Sequence, residues 1–366
     1  MQITLQRETI LKPLSYVAGV VEKRQTLPIL SFVLLRQEGD TVTLTGTDLE
    51  VEIIAKVKSE RSENGELTLP ARKLLDICRA LPEGAMVDIR KDGDKAVIKS
   101  GKSRFTLVSL PVADFPNLQA PQWDHTFALS QKILKNLVLQ TQFCMAQQDV
   151  RYFLNGLLFE MNGNTLRVVA TDGHRMAVSE ANLEKTQPAT KQVIVPRKGV
   201  HEIARLLEES DDEVEVLVSN NHLRTRTGSF ILTTKLIDGK YPDYARVVPP
   251  AQNKAIQISR DTLREALGRA AILSNEKYRG VRLTLIKNGL QISAHNPEQE
   301  EAQEEVTADY DGDMLEIGFN VGYMIEATGA LQSQKVVIGL TDANSSCTIT
   351  APDTKTPLYV IMPMRL

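Results

Sequence analysis

The 366-residue chain is poor in the residues that announce chemistry. It has three cysteines, Cys78, Cys144 and Cys347, widely separated and without a CxxC pair. That pattern excludes a disulfide framework and a cysteine zinc site, and it suits a reducing cytoplasm. Five histidines, at 125, 174, 201, 222 and 295, show neither HxH nor HxxxH spacing, so no metal and no cofactor is expected. One tryptophan and 5% aromatic residues leave no aromatic ladder for stacking bases. No apolar run approaches the roughly 20 residues that span a bilayer, and "MQITLQRETI" lacks a signal peptide's basic and apolar regions, so no membrane association is expected. The net charge of −3 offers no overall attraction to nucleic acid. A composition of 42% hydrophobic and 24% charged residues is that of a globular protein too long for one ordinary core.

What is present is repetition. "TVTLTGTDLEVEIIA" (41–55), "TLRVVATDGHRMAV" (165–178) and "GLQISAHNPEQEEA" (289–302) align on Asp48, Asp172 and Asn296, which are 124 residues apart in both steps. "SFVLL" at 31–35, "NGLLF" at 155–159 and "RGVRL" at 279–283 keep the same spacing. Three domains follow, 1–124, 125–252 and 253–366, with proline-bearing linkers "APQWDHT" and "PPAQNKA" near the boundaries. Each opens with a helix whose apolar residues recur at helical spacing (10, 11, 14, 17, 18, 21; 133, 134, 137, 138, 141; 263, 266, 267, 270, 271). Ser130 and Ser259 stand at matching N-cap positions. A second helix follows near 71–82, 197–208 and 320–333, with Val200, Ile203, Ala204 and Leu207 as the stripe in the middle copy, and short alternating strands fill the rest. The expected class is α+β: three repeated domains, each with two helices against antiparallel sheet.

"VVATDGHRMAV" (168–178) invites a different reading, with Asp172 and His174 as an acid–base pair. The repeats weaken it. The same position reads "GTDLE", "ATDGH" and "AHNPE", and Asp, Asn and Gly are residues of strand-connecting turns. No serine or cysteine nucleophile motif accompanies the pair. "SGKS" (100–103) resembles part of a phosphate loop, but Ala96 stands where glycine is required six residues before Lys102.

Charge is unevenly distributed. The six helical segments (7–24, 71–82, 130–146, 197–207, 260–277, 320–333) hold 16 Lys/Arg against 8 Asp/Glu, while the rest of the chain is acidic. Basic helices on an acidic body suit contact with phosphates without sequence readout. "PEQEEAQEE" (297–305) is the opposite case, a solvated run or a match for the basic "SGKSRF" and "ARK" of the first repeat.

"QDVRYFLNGLLFE", "VATDGHR", "VPRKGV", "LSNEKYRGVRL", "NPEQEEAQEE", "GFNVGY" and "YVIMPMRL" closely resemble bacterial DNA polymerase III beta subunits, the replicative sliding clamps, in order along the whole chain. The resemblance implies a cytoplasmic, non-catalytic processivity subunit of a DNA-directed DNA polymerase holoenzyme. It implies a head-to-tail homodimer, a six-domain ring encircling double-stranded DNA without sequence preference. Twelve helices at about 10 Å each would leave a bore of roughly 28 Å. DNA-facing positions by resemblance are Arg24, Arg72, Gln148, Arg151, Tyr152, Phe153, Arg197 and Lys198.

The resemblance also implies a groove for linear peptides of the replicative polymerase alpha subunit, the clamp loader and other clamp-binding-motif proteins. One wall would be Leu154, Thr171, Gly173, His174, Arg175 and Met176, with Pro242, Arg246 and Val247 and with Asn320, Tyr323 and Ser346 alongside. The tail Val360, Ile361, Met362, Pro363, Met364, Arg365 and Leu366 would form the other, two methionines lending it adaptability. The dimer seam would bring Ile272 and Leu273, with Glu298, Glu300, Glu301 and Glu304, against Lys73, Ile77, Lys102, Arg104, Phe105 and Leu107. A monomeric repeat-built interaction scaffold, and a hydrolase using Asp172 and His174, are the alternatives.

Overall fold

A computed structural model describes residues 1–21, 27–116, 122–187, 189–250 and 252–365. Arg24 and Leu366, expected at the DNA and groove surfaces, lie outside the described residues. The same order of elements runs three times: strand, helix, four strands, helix, three strands, with one extra short strand, Arg61–Glu63, in the first copy. The helices are α1 (Arg7–Val20), α2 (Ala71–Ala80), α3 (Gln131–Leu139), α4 (Arg197–Leu206), α5 (Arg260–Ile272) and α6 (Val321–Ala330). None is long and apolar enough to cross a membrane.

The helices are shorter than their apolar periodicity suggests. α3 ends at Leu139, and Phe143 and Cys144 beyond it belong to a 3₁₀ turn, Gln142–Cys144, with Thr141 at its N-cap. α5 stops at Ile272, where Ser274 turns its hydroxyl back onto the Ala271 carbonyl. Asn320 is the N-cap of α6 rather than a member of it, accepting from the Tyr323 amide. Ser130 and Ser259 do accept from the amides of Ile133 and Thr262, the hydroxyl satisfying an otherwise orphan donor. The expected stripes are buried in α5 throughout, and in α3 except for Ile133, which is exposed. On the observed helices 13 Lys/Arg stand against 6 Asp/Glu, so the basic bias persists.

Contacts divide the chain into two compact units, the first comprising 1–135 with 198–236, the second 136–197 with 237–366. In each repeat the middle four strands form one antiparallel group, and the first strand with the last three forms another. The first unit holds an eight-stranded sheet in which the middle group of repeat one joins the end group of repeat two. The join is antiparallel, Val51–Lys58 against Phe230–Lys235, with Val51 opposite Thr234. The second unit repeats the arrangement: Arg175–Asn182 pairs with Leu358–Ile361, and Arg175 is opposite Ile361. Val51, Ile53, Ala55, Met176, Val178 and Val360 are all buried at these joins.

Among the described residues, two groups have no such join. The five-stranded sheet of repeat one ends on Ser103–Val108, and the four-stranded sheet of repeat three ends on Glu301–Thr307. Both strands alternate largely between exposed and half-buried residues, and Val108 is 53% exposed.

Candidate functional site: an apolar groove in the second unit

The turn at Asp172 shows what the repeated position does. Asp172 Oδ1 accepts from the amides of His174 (2.9 Å) and Arg175 (3.0 Å), and Oδ2 accepts from Arg175 Nε at 3.1 Å. Asp48 treats Glu50 and Val51 the same way, and Asn296 Oδ1 accepts from the Glu300 amide. Thr47 and Thr171 hydroxyls close the loop onto Val51 and Arg175 carbonyls. The residue after the acid takes a left-handed conformation, Leu49 at φ 77° and Gly173 at φ 87°. In the third copy that residue is Pro297, whose ring forbids it. Gln299 adopts the positive φ instead, and the strand resumes two residues later, at Glu301. Asp172 is therefore occupied in building a turn, its oxygens engaged by Arg175 and backbone amides.

Beside that turn lies a cavity of about 370 Å³. It brings together ten of the expected groove residues: Leu154, Thr171, Gly173, His174, Arg175, Met176, Pro242, Val247, Val360 and Met362. Arg151, Phe153 and Tyr244 complete the lining. Phe153 and Arg151, expected at DNA by resemblance, thus also wall the groove. Tyr244 was missed because its role is visible only through contacts distant in sequence. Its hydroxyl donates to Glu160 (2.8 Å) and accepts from Arg167 (3.0 Å), which aligns its ring along the wall. A Cβ at 173 would meet the Arg151 guanidinium at 3.0 Å, so any larger residue there would have to shift that side chain.

Arg175 organises the floor. Its guanidinium lies 4.3 Å from the Tyr323 ring centroid and 5.4 Å from that of Phe143. It donates to the Phe143 carbonyl at 2.6 Å and pairs with Asp172 and Glu326. A guanidinium held on all sides presents an edge rather than a mobile charge. The tail is held by sheet pairing, and the Met362 amide donates to the His174 carbonyl at 2.9 Å. Met362 itself stays 47% exposed.

The remaining expected groove residues do not line this cavity. Ile361 points to the opposite face of its strand from Val360 and is buried there, as strand alternation requires. Arg246 projects outward and pairs with Asp243. Asn320 is engaged in capping, Tyr323 lies beneath Arg175, and the Ser346 carbonyl accepts from Gln252. Pro363 is half-buried outside the lining. Met364 and Arg365 turn away to line a second cavity with Tyr278 and His295, the Met364 amide bonding to Gly318.

The expected DNA residues are differently engaged. Arg72 donates to the Val21 carbonyl, and Gln148 sits at φ 55°. Arg151 forms two hydrogen bonds to Asp149 and holds that carboxyl down at about 2. Tyr152 is exposed. Arg197 donates to the carbonyls of Met145 and Ala146; burial, then the neighbouring Arg175 charge, lowers its proton affinity. Lys198 is ion-paired with Asp48 in the first unit. The expected seam residues are at or near the surface: Ile272 is 76% exposed, Leu273 and Ile77 are half-buried, and Phe105 and Leu107 are half-buried on one face of an open edge strand. Lys73, Lys102, Arg104, Glu298, Glu300 and Glu301 are exposed, and Glu304 pairs with Arg269 of its own chain.

Three tandem α+β domains joined edge to edge, with an apolar groove on the second join, define the architecture of a clamp. Family models for the DNA polymerase III beta subunit match in sequence order: the N-terminal domain at residues 1–119, the central domain at 128–243 and the C-terminal domain at 245–365. The beta sliding clamp of Pseudomonas aeruginosa is 52% identical and that of Escherichia coli K12 49% identical, each over the full length of both chains. A crystal structure of the Pseudomonas aeruginosa clamp superposes with a TM-score of 0.97, and Caulobacter crescentus pol III beta, 37% identical, with 0.93, both covering each chain completely. The chain belongs to the DNA polymerase III beta-subunit family, the sliding clamps of DNA replication.

Proposed function

We propose that two copies of this chain close head to tail into a ring around duplex DNA, and that the ring tethers the replicative polymerase without chemistry of its own. The observation that carries this is the pair of open edges. At both internal joins the third strand of a middle group meets the last strand of an end group. The unpartnered strands, Glu301–Thr307 and Ser103–Val108, are the same two members of that pairing. One strand lies in each terminal repeat, so a second copy satisfies both at once, giving the closed two-fold assembly that edge exposure favours.

The inner joins also suggest a register. Glu301 opens its strand as Val51 and Arg175 open theirs, and Leu107 matches Thr234, the fifth residue of each strand. Glu301 then faces the partner copy's Leu107, and Glu304 faces its Arg104. Helix α5 supports the same seam. Ile272, the last residue of α5, is 76% exposed.

The domain boundaries proposed are 1–124, 125–252 and 253–366. Arg72, Gln148, Arg151, Tyr152, Arg197 and Lys198 are the proposed sequence-blind contacts to DNA, with Lys198 contributing less because Asp48 already neutralises it. The groove is proposed to take short linear peptides of the polymerase alpha subunit and the clamp loader, apolar anchors entering between Leu154, Met176, Val360 and Met362. Tethering turns rebinding of DNA by the polymerase into an intramolecular event. The work belongs in the cytoplasm, where the chromosome is copied. The test is retention: loaded clamp should remain on nicked circular DNA and run off once the circle is linearised, and the free protein should have the mass of a dimer. A monomer, or equal loss from both DNAs, rejects the ring.

A further inference from the structure

The join in the first unit carries a cavity of its own, about 380 Å³ in volume. The repeat relates it to the apolar groove. Leu34 corresponds to Leu158 and Glu52 to Met176, each 124 residues earlier, and Glu52 faces Thr233 as Met176 faces Val360. The two cavities are nearly equal in size, but the first-unit cavity mixes charged and apolar lining where the groove is mainly apolar. Where the second unit has a buried methionine, the first has a carboxylate only 6% exposed, and among the described residues it has no hydrogen-bond partner.

The adjoining cation is Arg224. Its Nε donates to Thr233 Oγ1 at 2.9 Å, and its guanidinium lies 4.9 Å from the Trp123 ring centroid. Arg36, also in the lining, is turned onto Glu66. The Glu52 carboxylate is deeply buried yet lines the cavity, where a donor entering from outside can reach it. Burial pushes the Glu52 carboxyl up to about 7, against the opposing charge of Arg224. Ile54, Val112, Phe115 and Pro116 supply apolar surface beside the polar pair.

We infer that this cavity is a second peptide site, which takes a carboxamide side chain, glutamine or asparagine, next to an apolar residue. The amide NH₂ donates to Glu52 and its carbonyl accepts from Arg224, while the apolar neighbour packs on Phe115 and Ile54. Other groups fit worse. A ligand carboxylate would face Glu52, and an ammonium would face Arg224; a primary amide offers one donor and one acceptor at once. The site needs nothing from the groove of the second unit.

The test is methyl NMR on the full-length protein, with Ile δ1 and Met ε labels. Ile54 reports this cavity and Met362 the groove. The probe is acetyl-Gln-Phe-amide, and acetyl-Glu-Phe-amide is its control. The Ile54 methyl should shift saturably with the glutamine probe and at least about fivefold more weakly with the glutamate one. Glu52→Met should weaken the response at least about tenfold, and Phe115→Ala, with circular dichroism to check the fold because Phe115 packs with Phe32 and Leu34 of the sheet, at least about threefold. An Ile54 methyl that is unmoved, responds equally to both probes, or ignores both substitutions overturns the site. A response at Met362 alone rejects this site and leaves the groove standing; a response at Ile54 alone does the reverse.

Discussion

The joined strands and the open strands of this chain are the same structural elements under different burial. Val51–Lys58 and Arg175–Asn182 carry apolar residues into the sheets they complete, whereas their counterpart Glu301–Thr307 reads "EAQEEVT". Phe230–Lys235 is mostly covered; its counterpart Ser103–Val108 is mostly exposed. An edge that is permanently joined within a chain is built from core residues. The open edges carry charge instead, acidic on one strand and basic on the other, which prevents indiscriminate strand addition. In the third repeat the exposed apolar surface lies on helix α5, at Ile272, rather than on the open strand.

The largest expected effect comes from removing that helix contribution. Ile272→Ala with Leu273→Ala should cost about 3–6 kcal/mol of association. The double variant should run as a folded monomer by light scattering at micromolar concentration, with unaltered circular dichroism. A dimer that persists at nanomolar concentration would mean that the open edges alone hold the seam, and the contrast drawn above would fail.

The two internal joins differ in one buried group, and pH separates them. Glu52 has its carboxyl raised from 4.5 to about 7 by burial, against which Arg224 acts. Below about pH 4.5 both folded and unfolded chains hold the proton and nothing is lost. As pH rises toward 7 the unfolded chain releases it first, so stability falls, by up to about 3 kcal/mol above pH 7. Glu52→Gln should therefore stabilise the protein against urea at pH 8 and change little at pH 4.5. A variant with the same gain at both pH values would show that the carboxyl is not desolvated at this join.

The groove beside the second join should be more modestly sensitive. Deleting residues 362–366 removes Met362 from the lining and should weaken a fluorescent partner peptide about tenfold or more, roughly 1.4 kcal/mol. Anisotropy reads the binding and size exclusion checks that the dimer survives. Unchanged affinity would place peptide recognition elsewhere. Smallest of all should be the charges at the open edges. Arg104→Glu should weaken the dimer by no more than about 1 kcal/mol, with Glu304→Arg restoring part of it. Arg269, already bonded to Glu304, keeps the rescue incomplete. Analytical ultracentrifugation at two salt concentrations measures both; absence of rescue would argue against the proposed register.

Much of this was legible in the chain of letters. The 124-residue spacing carried the threefold repeat, and the stripes of α5 and α4 carried their buried faces, because local periodicity records which side of an element meets the core. Asp48, Asp172 and Asn296 were recognisable as turn formers, since a short polar side chain bonds its own backbone whatever lies further away. The tail's apolar character, from Val360 to Met364, was equally plain.

Tertiary structure alone decided what those elements face. That Val360 enters the groove while Ile361 is buried behind it follows from the pairing of Leu358–Ile361 with Arg175–Asn182, residues nearly two hundred positions apart. Met364 and Arg365 leave for another cavity because the Met364 amide finds Gly318. Tyr244 becomes a groove wall through Glu160 and Arg167, and Glu52 becomes a buried carboxylate because the strand Phe230–Lys235 covers it. Sequence fixes periodicity, turns and caps, which depend on neighbours along the chain. Burial and partnership depend on neighbours in space, and only the folded chain supplies those.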